Sequence, residues 1–295
     1  MKNVLLCLLV WVGFAQAQPP QIVSPDWSIA STLTAIGYPP LAMGDKWTYP
    51  VWVRVPPQPE SVIDLGARYQ PNRELLAQLS IDKVLSLPFY AHLRSVFSAD
   101  ILQQEVLFDG GNTEPQQHWE TYVTATREIG AAVGDLAAAE RYLRQVENQL
   151  AQYGREIRQA APEVESYATV LFADAHQLRI YASNSMFHVA FELMGLKQVD
   201  LGVGDRWGSY QVALQDLAKL PPKNCLLILG PFHRMTEAEL KQSYTWRRMG
   251  FGTERCVRKM PAVWLFGGTD TIAHFAHGLH RAMVSGEGKW TVGDE

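Results

Sequence analysis

The sequence predicts an α/β fold with a largely parallel sheet. Short apolar runs of strand length alternate with helix-like segments through both halves of the chain, which is the pattern of β-α-β units. One long helical stretch, roughly Leu136 to Ala160, lies between the halves. In the first half the strand-like runs are Gln21-Ile-Val-Ser24, Leu41-Ala-Met43, Ser61-Val-Ile-Asp-Leu65, Lys83-Val-Leu-Ser-Leu87 and Glu105-Val-Leu-Phe108. A helix is expected over Arg73 to Leu79, after the start signal Pro71-Asn72. The cluster Pro56-Pro57-Gln58-Pro59 reads as an extended surface loop. In the second half Tyr167 to Phe172, Leu178 to Tyr181, Cys225 to Leu229 and Ala262 to Phe266 read as strands. Met186 to Met194 reads as a helix closed by Gly195, and Thr271 to Met283 as the closing helix. In the long stretch Leu136, Leu143, Val146, Leu150, Tyr153 and Ile157 recur at helical spacing, with Arg141, Arg144, Glu147 and Arg155 on the remaining surface. Such a helix is about 37 Å long. It serves either as a stiff strut from one lobe to another or as an ordinary helix packed along one sheet.

The N-terminus has the three-part pattern of a cleaved secretion signal: Met1-Lys2-Asn3, an apolar run from Val4 to Phe14, then Ala15-Gln16-Ala17. The apolar run is about half the length that spans a bilayer. Cleavage is expected after Ala17, leaving a soluble, exported protein that begins at Gln18. Cys7 sits too early to be a lipidation site. The whole chain carries 26 basic and 30 acidic residues, so loss of Lys2 leaves 25 against 30. That mild acidity gives no footprint for nucleic acid or an anionic membrane. The mature chain keeps Cys225 and Cys256. An oxidising compartment permits one disulfide if the runs they open are neighbouring strands; two free buried thiols are the alternative.

Recognisable catalytic motifs are absent: no G-x-S-x-G elbow, P-loop, G-x-G-x-x-G or H-E-x-x-H occurs. His274, His277 and His280 recur every third residue and fan across a helix face rather than converging, so they read as packing and surface histidines. The unusual component is aromatic residues and Arg beyond the predicted strand ends. Trp27 follows the first strand, Trp47, Tyr49 and Trp52 the second, Arg68 and Tyr69 the third, and Tyr90 the fourth. Trp207 lies in the Gly-rich Asp205-Arg-Trp-Gly-Ser209, and Trp264 and Phe266 end the last strand. Parallel α/β sheets bind ligands outside the carboxyl ends of their strands, where aromatic side chains make broad amphipathic walls.

At these residues the sequence resembles the periplasmic ferric hydroxamate-binding proteins of siderophore ABC importers, which are helical-backbone (class III) solute-binding proteins. The stretch Val51-Trp-Val-Arg-Val-Pro-Pro-Gln-Pro-Glu-Ser-Val-Ile-Asp-Leu-Gly-Ala-Arg-Tyr-Gln-Pro-Asn-Arg-Glu-Leu-Leu76 carries the resemblance. So do Asn184-Ser-Met-Phe187, Trp207-Gly-Ser209 with Leu214-Gln-Asp-Leu-Ala218, and Pro261-Ala-Val-Trp-Leu-Phe-Gly267. It extends from about Ile22 to Met283. It implies a signal peptide over 1–17, an N-terminal α/β lobe over 18–135, a single interdomain helix over 136–160 and a C-terminal α/β lobe over 161–295. Such proteins bind in a shallow cleft between lobes that move little. The resemblance implies that Arg68 and Tyr90 hydrogen-bond the hydroxamate oxygens, and that Trp27, Trp52, Trp207, Ser209, Trp264 and Phe266 line the cleft. Ser86 stands where such proteins carry another cleft Trp, and Phe266 where they carry an aromatic hydroxyl. Their importer-docking carboxylates do not transfer: the expected places hold Ser95 in the first lobe and Gln215-Asp216 in the second.

The function so implied is capture of a ferric hydroxamate siderophore of the aerobactin, ferrichrome or ferrioxamine type, and its delivery to an inner-membrane ABC importer permease. The carrier is expected to be a periplasmic monomer without a cofactor of its own. The siderophore saturates the iron, so the protein supplies donors for crowded oxygens: a permanently charged guanidinium at Arg68 and one O–H at Tyr90. Carriers of the same architecture for another iron chelate, haem or cobalamin are the alternative. Catecholate complexes call for several basic residues, and the sequence places one Arg in the cleft. An exported hydrolase or reductase is the remote alternative.

Overall fold

In a computed structural model, residues 18–108 and 118–291 are described. The expected signal segment, Met1 to Ala17, lies outside them. The chain forms two α/β lobes, each built on a five-stranded sheet. The first sheet is wholly parallel. Its strands β1 (Ile22–Ser24), β2 (Ala42–Met43), β3 (Ile63–Asp64), β4 (Lys83–Ser86) and β5 (Leu102–Glu105) lie in the order β3-β2-β1-β4-β5. The second sheet contains β6 (Ser166–Phe172), β7 (Gln177–Tyr181), β8 (Ser209–Ala213), β9 (Asn224–Gly230) and β10 (Val257–Ala262), in the order β10-β9-β6-β7-β8. There β10, β9 and β6 are parallel, and β7 runs antiparallel to both its neighbours.

Two expected strands are displaced. The structure puts β5 at Leu102–Glu105 rather than 105–108, and β10 at Val257–Ala262 rather than 262–266. Both are edge strands. The residues they present, Gln103 and Gln104 in one and Arg258 and Lys259 in the other, hide the apolar alternation that marks a strand. The apolar runs that suggested strands are the chain leaving the sheet: Val106 and Phe108 are buried just beyond β5, and Val263 just beyond β10. Ser209, placed by the sequence in a loop, is the first residue of β8.

Helix α1 (Trp27–Ala35) follows β1 and is buried over most of its length. Asp26 caps it, its Oδ1 accepting from the Ser28 and Ile29 amides at 2.7 and 3.2 Å. Short helices α2 (Tyr49–Trp52) and α3 (Arg73–Leu76) follow β2 and β3. Helices α4 (Trp119–Val133) and α5 (Leu136–Ala160) lie in the chain between the sheets. Asp135 caps α5 and also accepts a hydrogen bond from the Tyr38 hydroxyl at 2.8 Å. Helix α5 turns Leu143, Val146, Leu150, Gly154 and Ile157 inward and packs on α4 as well as on α6 (Met186–Met194) and α9 (Thr269–Val284). Gly154 allows the closest approach: a Cβ there would lie 1.7 Å from the Met194 carbonyl oxygen. Helices α7 (Arg234–Gln242) and α8 (Tyr244–Arg248) cover the second sheet with Trp246 fully buried.

The two lobes share a core. One apolar cluster runs from Ile22, Leu33 and Leu85 of the first, through Ile129 and Leu150, to Phe191, Leu227 and Phe275 of the second. Polar contacts seal the same seam. The Ser28 hydroxyl donates to the Phe266 carbonyl at 2.8 Å, the Thr32 hydroxyl to Asp270 at 3.2 Å, and the Thr126 and Thr269 hydroxyls lie 2.8 Å apart. Cys225 of β9 and Cys256, just before the neighbouring β10, are joined by a disulfide with Cα atoms 4.5 Å apart. Among the described residues no helix is long and apolar enough to cross a membrane.

Candidate functional site

A cavity of about 510 Å³ opens between the lobes, at the carboxyl ends of β1, β3, β4, β7 and β10. From the first lobe come Asp26, Arg68, Tyr69, the segment Leu87 to Tyr90, and Phe108. From the second come Asn184 to Met186, Arg206, Trp207 and the segment Trp264 to Gly267. Asn184 to Met186 bring the N-terminal end of α6 to the wall, so the positive end of its helix dipole adds positive potential there.

Arg68 is the centre of the first-lobe wall. Its side chain is only 13% exposed, and among the described residues it makes no hydrogen bond. Its Nε lies 3.4 Å from Asp45 Oδ2, which gives ionic attraction without hydrogen-bond geometry. The guanidinium stacks 3.9 Å from the Trp27 ring centroid, with Trp264 and Tyr69 at 5.0 and 5.2 Å. The backbone is arranged to allow this. Gly44, directly after β2, passes so close that a Cβ would fall 2.5 Å from the Arg68 Cβ.

Tyr90 is buried beside it, stacked on Tyr69 at 5.8 Å, and Phe89 meets both rings edge-on at the exposed rim. Burial pushes the Tyr90 hydroxyl well above its ordinary value; the Asp26 carboxylate adds to the effect and Arg68 offsets part of it. Tyr90 therefore keeps its proton and serves as a donor. Burial likewise raises the Asp26 carboxyl, against the lowering effect of the hydrogen bonds it accepts from Ile29 and Ser28.

The second-lobe wall is a row of aromatics. Trp264 meets Phe266 at 5.6 Å and Phe266 meets Trp207 at 5.1 Å, both edge to face. Trp207 carries the Arg206 guanidinium 4.5 Å from its centroid. The loop is tightly built. Asp205 Oδ1 accepts from the Trp207 and Ser209 amides at 2.8 and 3.1 Å, and the Asn184 side chain bonds Gly204 and Asp205. Gly208 has φ +72° and sits against the Asn184 carbonyl, where a Cβ would be 2.6 Å away.

Of the residues singled out in the sequence, Arg68, Tyr90, Trp207, Trp264 and Phe266 line the cavity together. Three do not. Trp27 is only 1% exposed and lies beneath Arg68, its indole N–H donating to the Gly44 carbonyl at 2.9 Å. It supports the guanidinium from below rather than facing the cavity. Ser209 is enclosed, its hydroxyl directed at Asp205. Trp52 ends α2 with 44% of its surface exposed and is not part of the cavity wall. Trp264 and Phe266 lie in the loop after β10 rather than at its end. Sequence reasoning missed Asp26, legible as a cap in Ser24-Pro25-Asp26, and Arg206, the residue before Trp207. The cleft thus holds two Arg where one was expected. The three histidines of α9 diverge: His274 is mostly enclosed, His277 meets the Tyr153 hydroxyl at 3.0 Å and His280 meets Glu156 at 2.5 Å.

An inter-lobe cleft at strand ends, walled by aromatics and cations, is the arrangement of a solute carrier, and the sequence matches one. Residues 22–263 match the family model described as periplasmic binding protein. The chain belongs to that family. It is a family of substrate-binding proteins, not enzymes. The chain is 27% identical over 271 residues to the iron(3+)-hydroxamate-binding protein FhuD of Escherichia coli strain K12, covering 91% of this chain and 88% of that one. The fold is similar to that of FhuD from Vibrio cholerae with bound Fe3+-Desferal, with TM-score 0.77, 21% identity, and coverage of 90% of this chain and 98% of that one. It is also similar to the catecholate-siderophore binding protein VctP from Vibrio cholerae, with TM-score 0.63, 15% identity, and coverage of 92% and 95%.

Proposed function

We propose that this protein captures a ferric hydroxamate siderophore in the inter-lobe cleft and hands it to an inner-membrane ABC importer permease. It does so as a periplasmic monomer released from its signal segment after Ala17. In this reading 18–135 and 161–295 are the two lobes and α5 is the helix between them. One observation carries the reading: Arg68 is mostly buried at the cavity wall with a full set of N–H donors and no hydrogen-bond acceptor among the described residues. Polar groups so enclosed are nearly always hydrogen-bonded, so a guanidinium with an ion pair but no hydrogen-bond acceptor marks the place where ligand oxygens belong. Tyr90 adds an O–H beside it. In a ferric hydroxamate the oxygens bound to iron are crowded and partly negative, and both side chains donate to them. The aromatic row covers the carbon linkers without fixing their shape. Iron arrives already chelated, as cargo.

Titration with ferrioxamine B or ferrichrome, followed by tryptophan fluorescence from Trp207 and Trp264, tests the reading. Arg68→Ala is expected to lose charge-assisted hydrogen bonds and weaken binding by on the order of 2 kcal/mol, about thirtyfold. Unchanged affinity in that variant would remove the role assigned to Arg68.

A further inference from the structure

Arg68 and Arg206 are not equivalent. Arg68 has the Asp45 carboxylate at 3.4 Å, so its charge is compensated within the first lobe. Arg206 has no carboxylate within salt-bridge distance among the described residues. The acid next to it, Asp205, is occupied by the amides of its own loop. Arg206 is solvent-exposed, yet Trp207 and the Asn184 bonds hold it at the cavity edge. Trp264, Phe266 and Trp207 run in edge-to-face sequence from Arg68 of the first lobe to Arg206 of the second, so the two cations stand at opposite ends of one aromatic row.

We infer that Arg206 is a charge reader that selects ferric hydroxamates bearing free carboxylates at the periphery, away from the iron. This rests on the ferric hydroxamate reading of the cleft and names the charge class within it. The iron centre sits at Arg68 and Tyr90, and the aromatic row spans the linker. A carboxylate arm then reaches Arg206, with the α6 N-terminus on the same wall. A catecholate complex fits less well, because its several negative charges are concentrated around the metal. The first-lobe cation that would face them is already compensated. An uncharged chelate leaves Arg206 with nothing to pair with.

Ferric aerobactin supplies the carboxylates, ferrichrome is uncharged, and a ferric catecholate provides the remaining arm. All three are titrated against the wild type, Arg206→Gln, Arg206→Lys and Arg206→Glu, with circular dichroism confirming the fold. For so exposed a charge, Arg206→Gln is expected to lower affinity for ferric aerobactin roughly three- to tenfold more than for ferrichrome, and less so at high salt. Arg206→Lys retains the preference and Arg206→Glu reverses it. Equal losses for aerobactin and ferrichrome, or none for aerobactin, overturn the assignment of Arg206 while leaving the hydroxamate reading standing. Tightest binding of the catecholate, lost in Arg206→Gln, overturns the peripheral-carboxylate class. Failure of the wild type to bind either hydroxamate overturns the parent reading, and this inference with it.

Discussion

Asp270 and His274 lie one helical turn apart at the start of α9, and burial displaces them in opposite directions. Asp270 is almost fully enclosed among hydroxyls, with Thr32 at 3.2 Å from Oδ1 and Thr271 at 3.4 Å from Oδ2. Burial raises its carboxyl from 3.8 to about 7 against the lowering effect of those bonds. His274 is pushed down from 6.5 to about 4, first by burial and then by Arg54 and His277. A carboxyl that holds its proton more tightly when folded contributes stability that is complete below 3.8 and is lost as the pH climbs to about 7. An imidazole kept neutral contributes stability that is complete above 6.5 and is lost as the pH falls to about 4. At roughly 1.4 kcal/mol per pH unit, the first effect is about 4 kcal/mol and the second about 3 kcal/mol. They occupy nearly the same window with opposite sign, so together they leave the wild type almost level there. Asp270→Asn keeps the size of the side chain and an acceptor for Thr32 but cannot ionise. Relative to the wild type it is expected to gain up to about 4 kcal/mol between pH 4 and pH 8. His274→Gln has the opposite difference profile, gaining up to about 3 kcal/mol as the pH falls. Urea unfolding followed by circular dichroism, with wild-type values subtracted at each pH, cancels the titration of every other group. If the Asp270→Asn and wild-type profiles run parallel from pH 4 to pH 8, the carboxyl titrates as it does in water and the argument from burial fails.

Two further outcomes test the packing around the cleft. Gly154→Ala gains about 1 kcal/mol in helix propensity. It places a methyl group 1.7 Å from the Met194 carbonyl, so a net loss of about 2 kcal/mol or more in denaturant unfolding is expected; a neutral result means that α5 and α6 are not in backbone contact. Asp26→Ala removes the cap of α1 and is expected to lower stability by about 1 kcal/mol, whereas Asp26→Asn preserves the cap. Both should alter affinity for the ligand proposed above, because each replaces the carboxyl that acts on Tyr90 and Arg68. An Asp26→Ala protein as stable as the wild type would contradict the capping role.

What was legible in the sequence follows from where each residue sits. Helix α5 was readable to its ends because one face is apolar for seven turns and Asp135 begins it. Central strands such as β6 and β9, buried on both faces, announce themselves as continuous apolar runs. The edge strands β5 and β10 were not readable, since half their surface meets solvent or other side chains and the apolar signal shifts to the segments that follow them. The site divides similarly. Arg68, Tyr90, Trp207, Trp264 and Phe266 follow strand ends or occupy a Gly-rich loop, and that placement was visible. Whether an aromatic beside the cleft faces the ligand or supports another residue depends on a close approach such as Gly44 to Arg68. No one-dimensional pattern encodes that, so Trp27 looked like a wall and is a floor.

Helix α1 ties these parts together mechanically. Its first turn is fixed by Asp26, which lies at the cavity beside Tyr90 and Arg68. Its first and second turns supply Ser28 and Thr32 to the seam with the other lobe. Prising the lobes apart would take Thr32 from Asp270 and separate the hydroxyls of Thr126 and Thr269, at about 1–3 kcal/mol for each group left unbonded and still shielded from water. It would also divide a core in which Leu33, Ile129 and Phe275 are one cluster. The seam therefore resists opening more strongly than any single contact in the cleft could drive it. In the proposed function the lobes stay joined at this seam as a ligand enters. Binding then needs little ordering of the protein, and its free energy comes from the contacts themselves. If the proposed function holds, a carrier that must also release its cargo has the control of its affinity in a few exchangeable side chains at the wall, Arg68, Tyr90 and Arg206, and not in the closing of the lobes.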